Sequence, residues 1–324
     1  MSLKKIANEI LRAKNVGITY HASPDGDAVG SVLALINGLK SINKNCYVIS
    51  REIPSENLRF LPGSEEITGE ITTPIRESDL VIVLDCGSLE RVCANVEEFS
   101  GTLINIDHHI SNDKYGDINY VDAKAAATAE IVYELLKELK INLKESNEAN
   151  INIGTCIYTA LVTDTGSFRY SNVTERTHTI AAAMKKIGVN NTFIHQSLFD
   201  NKDFDKIKII GKALGSMELL LDGKVALIQM DRLFASNIGV KEIGDTSDVI
   251  SYGLQIKGVE VTLLLKETDD CVKASLRSKD KIDVRKIAEI FGGGGHVKAA
   301  GIKITNISLE EARFEILNEI QKEL

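Results

Sequence analysis

The sequence predicts an α/β protein of two domains. The larger N-terminal domain carries a parallel sheet with flanking helices, the smaller C-terminal one is mixed α/β, and a cleft is expected between them. Three observations lead there. With 324 residues the chain can build two ordinary cores. The runs DLVIVLDC (79–86) and GTLINIDHH (101–109) are apolar throughout, as strands of a parallel sheet covered on both faces must be. Beyond a polar stretch, GVNNTFIHQSLFDNKD at 188–203, the strand–helix alternation is interrupted and a different pattern begins.

Taken in order, the opening MSLKKIANEILRAKN reads as an amphipathic helix rather than a signal peptide. NVGITYH is a strand ending in His21, and DAVGSVLALINGLKSI follows with helical periodicity. NCYVISRE is the next strand, then come the two apolar runs, ending in Asp85 and in Asp107, His108 and His109. Helices are expected at about 123–140 and 147–162. The stretch 188–203 reads as a linker into a helix at about 204–219. GKVALIQM, VEVTLLLKE and CVKASLRS then read as strands, with helices near 231–236, 245–253, 283–290 and 308–323. The expected boundaries are a first domain over 1–190, a linker and connecting helix over 191–219, and a second domain over 220–324.

Composition narrows the function. The formal net charge is −8, Trp is absent and aromatic residues make up 5%. No basic cluster is visible in the sequence, whereas a grip on long nucleic acid calls for a basic stripe and stacking platforms. No run of about 18 apolar residues suggests a membrane span. Five cysteines without disulfide-type or metal-type spacing indicate reduced thiols and a cytoplasmic location.

Ligands of open α/β sheets bind at the carboxyl ends of strands. His21, Asp85 and the 107–109 cluster fall at such ends, joined by Asp25 and Asp27 in HASPDGDAVGS and Asp164 in ALVTDTGSF. Each alone has a plain structural reading: Asp25, Asp27 and Asp85 as helix caps or turn residues, the histidine pair as solvated, Asp164 as a turn partner of Gly166. Together they form an oxygen-and-imidazole set without thiolate, the kind that suits Mn²⁺ and a two-metal phosphoesterase.

HASPDGDAVGS, VLDCGSLER, IDHH and ALVTDTGSF resemble the successive motifs of the DHH phosphoesterase superfamily, and FGGGGHVKAAG (291–301) resembles the signature of the associated DHHA1 domain. Within it, the chain is most similar to bacterial oligoribonucleases (nanoRNases) that also act as 3′-phosphoadenosine 5′-phosphate phosphatases. The resemblance implies two Mn²⁺ ions, with Mg²⁺ or Co²⁺ as substitutes. His21, Asp25 and Asp85 would hold one; Asp27, Asp85, His108 and Asp164 would hold the other, with Asp85 bridging. Asp107 and His109 complete the catalytic group, Asp107 as support and His109 near metal or phosphate. One departure is Ala127, where the family commonly has Ser.

The C-terminal signature supplies the expected substrate contacts. Gly293, Gly294 and Gly295 let backbone N–H groups approach an anion, His296 and Lys298 follow, and AAG (299–301) reads as a small-residue helix or turn. Ser275 and Arg277 end a strand, and Arg pairs bidentately with phosphate. Expected partners are short RNA oligonucleotides or small phosphorylated nucleotides, not long nucleic acid or membrane, with homodimerisation left open. Rival readings are a cyclic or linear dinucleotide phosphodiesterase, a RecJ-like exonuclease, a family II pyrophosphatase and, outside enzymes, a nucleotide-sensing module.

Overall fold

The computed structural model describes residues 2–244 and 246–324. Two compact units divide the chain, one up to Asn201 and one over Lys202–Leu324. The first contains α1 (Leu3–Arg12), β1 (Asn15–Thr19), α2 (Gly26–Ser41), β2 (Asn45–Val48), β3 (Leu80–Leu84), β4 (Thr102–Asp107), β5 (Ile118–Val121), α3 (Thr128–Glu138), α4 (Glu148–Asp164), α5 (Glu175–Lys186) and α6 (Asn191–Phe199). Its sheet has the order β2-β1-β3-β4-β5, and every neighbouring pair is parallel.

Both faces of this sheet are buried, but by different means. Val16, Ile18, Ile82, Leu84, Ile104 and Ile106 pack with the buried residues of α1–α6. On the opposite face Val81 and Val83 meet Val92, Ala94, Val96 and Phe99, which belong to the crossover between β3 and β4, a segment with one short 3₁₀ turn and no α-helix. Both sides of the strands are therefore apolar although helices line one side only.

The stretch read as a linker departs from expectation. Val189 is buried, Asn190 caps α6 by accepting from the Phe193 N–H at 3.1 Å, and Ile194 and Leu198 join the first unit's core. The apolar positions are too sparse among polar residues to announce a helix, yet they line one face. α5 and β5 were likewise absent from the expected elements.

The second unit holds α7 (Phe204–Gly215), β6 (Glu218–Leu220), β7 (Val225–Met230), α8 (Ser247–Gly253), β8 (Val261–Glu267), β9 (Cys271–Ser278), α9 (Val284–Ile290), β10 (Gly294–His296), β11 (Ala299–Thr305) and α10 (Leu309–Glu323). Its sheet runs β10-β11-β9-β8-β7-β6, with β7–β8 the parallel pair and the others antiparallel. α9 and α10 cover one face through Ile287, Ala312, Ile316 and Ile320. On the other face α7 and α8 pack on Ile228, Met230 and Leu264, which lie on β7 and β8. The expected helix at 231–236 is instead a turn followed by a 3₁₀ segment at Ser236–Ile238. No helix among the described residues is long and apolar enough to cross a membrane.

The glycine run is not a loose loop. The Gly292 N–H donates to Glu289 O at 3.1 Å and the Gly293 N–H to Ala288 O at 2.8 Å, with Gly292 at φ +71°. That is a Schellman closure of α9, which needs a left-handed residue after the helix. Gly294 and Gly295 open β10, and AAG begins β11 rather than forming a helix or turn. A Cβ on Gly293 would lie 2.2 Å from Gly301 O, while one on Gly294 would meet nothing within 4 Å. Gly293→Ala should therefore cost about 1–3 kcal/mol and Gly294→Ala less than about 1 kcal/mol, read from urea unfolding of the two variants. Equal costs would contradict the close backbone approach.

Candidate metal centre

In a sheet ordered 2-1-3-4-5, successive crossovers leave in opposite directions between β1 and β3, and the gap there opens a crevice at the strands' carboxyl ends. His21 lies just past β1 and Asp85 just past β3. Asp107 ends β4, and His108 and His109 follow it. Asp85 has φ +55°, a left-handed conformation that Asp tolerates better than most residues. It sits where an apolar strand must turn at once to present its carboxylate.

Helices α2 and α4 bring the remaining acids. Asp27 is in the first turn of α2, and Asp164 is the last residue of α4. These ends meet because Gly26 has no side chain: a Cβ there would lie 2.4 Å from Thr163 Cγ2. Gly26 thus serves close approach rather than a left-handed turn.

Asp85 is the meeting point of the cluster. Its Oδ2 is 3.5 Å from His21 Nε2, while its Oδ1 is 3.5 Å from His108 Nε2 and 3.8 Å from His109 Nδ1. His21 Nε2 is also 3.9 Å from Asp25 Oδ1. His108 Nε2 lies 3.9 Å from Asp27 Oδ2 and 3.6 Å from Asp164 Oδ2. Donor atoms of His21, Asp25 and Asp85 all fall within 4.8 Å of one another, as do those of Asp27, His108 and Asp164, and those of Asp85, His108 and His109. The donors are carboxylate oxygens and imidazole nitrogens, a set that fits hard or borderline divalent cations.

The imidazoles are already oriented as ligands. His21 Nδ1 faces Ala22 O at 2.9 Å, and His108 Nδ1 faces Ala125 O at 3.2 Å. A proton on Nδ1 donated to each carbonyl leaves the Nε2 lone pair aimed at the carboxylates. His109 differs: its Nδ1 contacts Asp107 Oδ1 at 2.7 Å. Asp107 also accepts from the His108 N–H at 2.8 Å and from Asn112 Nδ2 at 2.6 Å, so its oxygens are taken up by the protein.

Charge is the dominant force in this pocket. Burial, then the nearby Asp85, Asp164 and Asp25 charges, raises the Asp27 carboxyl well above its ordinary range. Burial pushes Asp164 up to about 7, with His108 opposing and Asp85 and Asp25 adding to the rise. For His21 burial disfavours the charge, but hydrogen bonding to Asp25 and Asp85 outweighs it and lifts the ring to about 11. The carboxylates around His21 thus favour its charged form.

Several supporting groups were not read from the sequence. Asp25 caps α2, accepting from the Asp27 and Ala28 N–H groups. Asp27 instead caps α3, accepting from Thr128 N at 2.6 Å and Ala129 N at 3.1 Å. Ala127, the N-cap residue of α3, has no side chain that could do so. Ser31 donates to Asp27 Oδ1 at 2.9 Å, and Thr128 Oγ1 donates to Asp85 Oδ1 at 2.9 Å. Ser31 was findable, one helical turn from Asp27; Thr128 had no local signal. Arg176 donates to Asp122 Oδ2 at 2.8 Å and pairs with buried Glu130, anchoring the segment that carries Ala125 and Thr128.

In the second unit, Ser275 and Arg277 lie on the β9 face that α9 and α10 do not cover, opposite Gly301 and Ala299. Burial lowers the guanidinium pKa of Arg277, and its Nη1 donates to Leu276 O at 3.0 Å. The ammonium of Lys298, a residue expected at phosphate, is directed here to the carbonyls of Asp280 and Ile282, bracing the β10–β11 turn. Gly292 and Gly293 spend their N–H groups on α9, and Gly294 and Gly295 pair with Gly301 and Ala300 of β11. His296 is in β10, with its side chain outside the described residues.

A pH dependence follows. Without metal, the raised Asp164 and His21 values mean that the folded state binds more protons than the unfolded one. Both groups therefore make stability fall as pH rises, Asp164 up to about 7 and His21 above its ordinary value toward about 11. Divalent cations need ionised carboxylates and neutral imidazole, so they bind better at higher pH. At about 100 times Kd they should raise Tm by roughly 5–10 °C. In differential scanning fluorimetry this shift should be larger at pH 8 than at pH 5; a shift independent of pH would contradict the assignment.

The model of the DHH family N-terminal domain matches residues 15–161, and that of the DHHA1 domain matches 233–324. The chain is 30% identical to the bifunctional oligoribonuclease and PAP phosphatase NrnA of Thermus thermophilus, over 99% of this chain and 94% of the relative. It is 28% identical to the protein of that name from Bacillus subtilis, over 88% of this chain and 87% of the relative. The crystal structure of an exopolyphosphatase-related protein from Bacteroides fragilis is similar with a TM-score of 0.88 at 26% identity, covering 99% of this chain and 95% of that one. With this donor cluster at the ends of its parallel strands, the chain belongs to the DHH family, with a DHHA1 domain, and is a hydrolase of phosphoester bonds.

Proposed function

We propose that the chain hydrolyses short oligoribonucleotides to nucleoside monophosphates and removes the 3′-phosphate of 3′-phosphoadenosine 5′-phosphate, using two Mn²⁺ ions. The observation that carries the reading is the division of Asp85: one oxygen faces His21 and the other faces His108. His21, Asp25 and Asp85 would hold one ion, and Asp27, Asp85, His108 and Asp164 the other. When bound, such ions lower the pKa of water and offset charge on the phosphoryl oxygens.

The chain's own groups do the rest. Thr128 fixes the Asp85 carboxylate, and the first N–H groups of α3 fix Asp27. Asp107 holds His109 through Nδ1, leaving Nε2 for a phosphoryl or leaving-group oxygen. Arg277, Ser275, Gly293, Gly294, Gly295 and His296 belong to the substrate-holding surface of the DHHA1 domain, with Gly293 shaping it and Lys298 bracing its hairpin. The acidic net charge of −8 agrees with a short rather than a long polyanion, and the names of the relatives point to the same substrates. Five free and buried cysteines suit a reducing, cytoplasmic setting.

Purified protein with Mn²⁺, offered a dinucleotide, a pentanucleotide, a 24-mer and 3′-phosphoadenosine 5′-phosphate and resolved by chromatography, tests this. Monophosphates should form from the short RNAs at least about tenfold faster than from the 24-mer, a difference of about 1.4 kcal/mol in barrier. Saturable binding without product, or faster hydrolysis of the 24-mer, would overturn the reading.

A further inference from the structure

The open half of the second unit's sheet carries a feature that the catalytic reading does not use. Lys266 on β8 is the register partner of Lys273 on β9, and Lys273 is in turn the partner of Lys303 on β11. All three point away from the α9–α10 core, because their neighbours Leu265, Val272, Ala274, Ile302 and Ile304 point into it. Lys273 and Lys303 are exposed, and neither makes a hydrogen bond or ion pair among the described residues. Lys266 is half-buried and donates to Gly244 O at 2.9 Å.

Like charges directly opposite one another on adjacent strands destabilise a sheet. Lys273 and Lys303, side by side in a chain of net charge −8, form a local positive site with no carboxylate paired to either among the described residues. Two and four residues along β9 the same face presents Ser275 and Arg277, with Gly301 and Ala299 beside them on β11. A strand rises about 3.3 Å per residue, so these rows are about 7 Å apart and Arg277 is about 13 Å from the lysines along the strand. Small residues between the two cationic ends keep the floor low enough for a chain of nucleotides to lie across it.

We propose that Lys273 and Lys303, with Lys266 behind them, form a second anion subsite. It takes an oligonucleotide phosphate further along the substrate than the one at Arg277 and Ser275, and it sets how affinity grows with length. The inference rests on the short-oligonucleotide reading above. A dinucleotide is too short to occupy both ends of the surface, whereas a tetra- or pentanucleotide spans them.

The test is binding of hydrolysis-resistant phosphorothioate RNAs, dimer to pentamer, to the full chain with Mn²⁺, measured by fluorescence anisotropy at several salt concentrations. Wild type should bind the pentamer about tenfold more tightly than the dimer. In the Lys273→Gln/Lys303→Gln double variant that ratio should fall toward one, and the salt slope for the pentamer should drop by about 1.4, for two phosphate contacts on a single strand. Lys273→Arg/Lys303→Arg should keep both. A glutamine variant that keeps the ratio and the slope overturns the subsite, as does a wild type without length dependence. Length-dependent binding lost in the glutamine variant of a protein that hydrolyses nothing would overturn the proposed function and leave the subsite standing.

Discussion

Asp27, Asp85 and Asp164 are gathered at one pocket, with Asp25 at the rim, and the cost of burying these charges side by side is the constraint on which the site depends. Burial makes each charge costly, and the raised values of Asp27 and Asp164 express that cost. His21 relieves part of it while protonated. Two divalent cations would relieve the rest, since four carboxylates and two dications sum to zero. Cation binding at this cluster would therefore be coupled to the stability of the fold.

The protein holds these acids in place with its own helix ends. Asp25 closes the start of α2 and Asp27 the start of α3, so each carboxylate has backbone donors independent of any ion. Those donors favour the ionised form and stabilise the negative charge before metal binds. Thr128 ties α3 to Asp85 as well, and the Arg176 contacts with Asp122 and Glu130 anchor the segment leading into that helix. Structural capping and ligand geometry are here the same hydrogen bonds, which is why either reading of Asp25 and Asp27 alone was incomplete.

Much of the site was legible because strand ends are legible. The apolar runs ending in Asp85 and Asp107 mark a buried parallel sheet and therefore the edge at which ligands gather. What could not be read were contacts that skip along the chain. Asp27 and Thr128 are neighbours only after α2 and α3 pack, and nothing local distinguishes Thr128 from any helix-starting Thr. α6 was missed because its two buried residues, Ile194 and Leu198, sit among polar ones. The glycine run was read as a set of backbone N–H groups for an anion, since sequence cannot show that α9 ends there and claims the first two of them. The lysine row is the sharpest case: no basic cluster exists along the chain, yet β8, β9 and β11 assemble one from residues far apart in sequence.

The second unit solves a different problem, since the face proposed for anions is built from side-chain cations alone. Its sheet is covered on one side by α9 and α10 and on the other by α7 and α8 over β7 and β8. Arg277, Ser275 and the lysines thus remain on a rigid but accessible floor. In the first unit Asp85 stands between the two donor groups, and metal stoichiometry reads its role. Protein equilibrated with Mn²⁺ and analysed by mass spectrometry of bound metal should hold two ions in the wild type, one in Asp25→Asn and none in Asp85→Asn. An Asp85→Asn variant that retains both ions would contradict the bridging role on which the account rests.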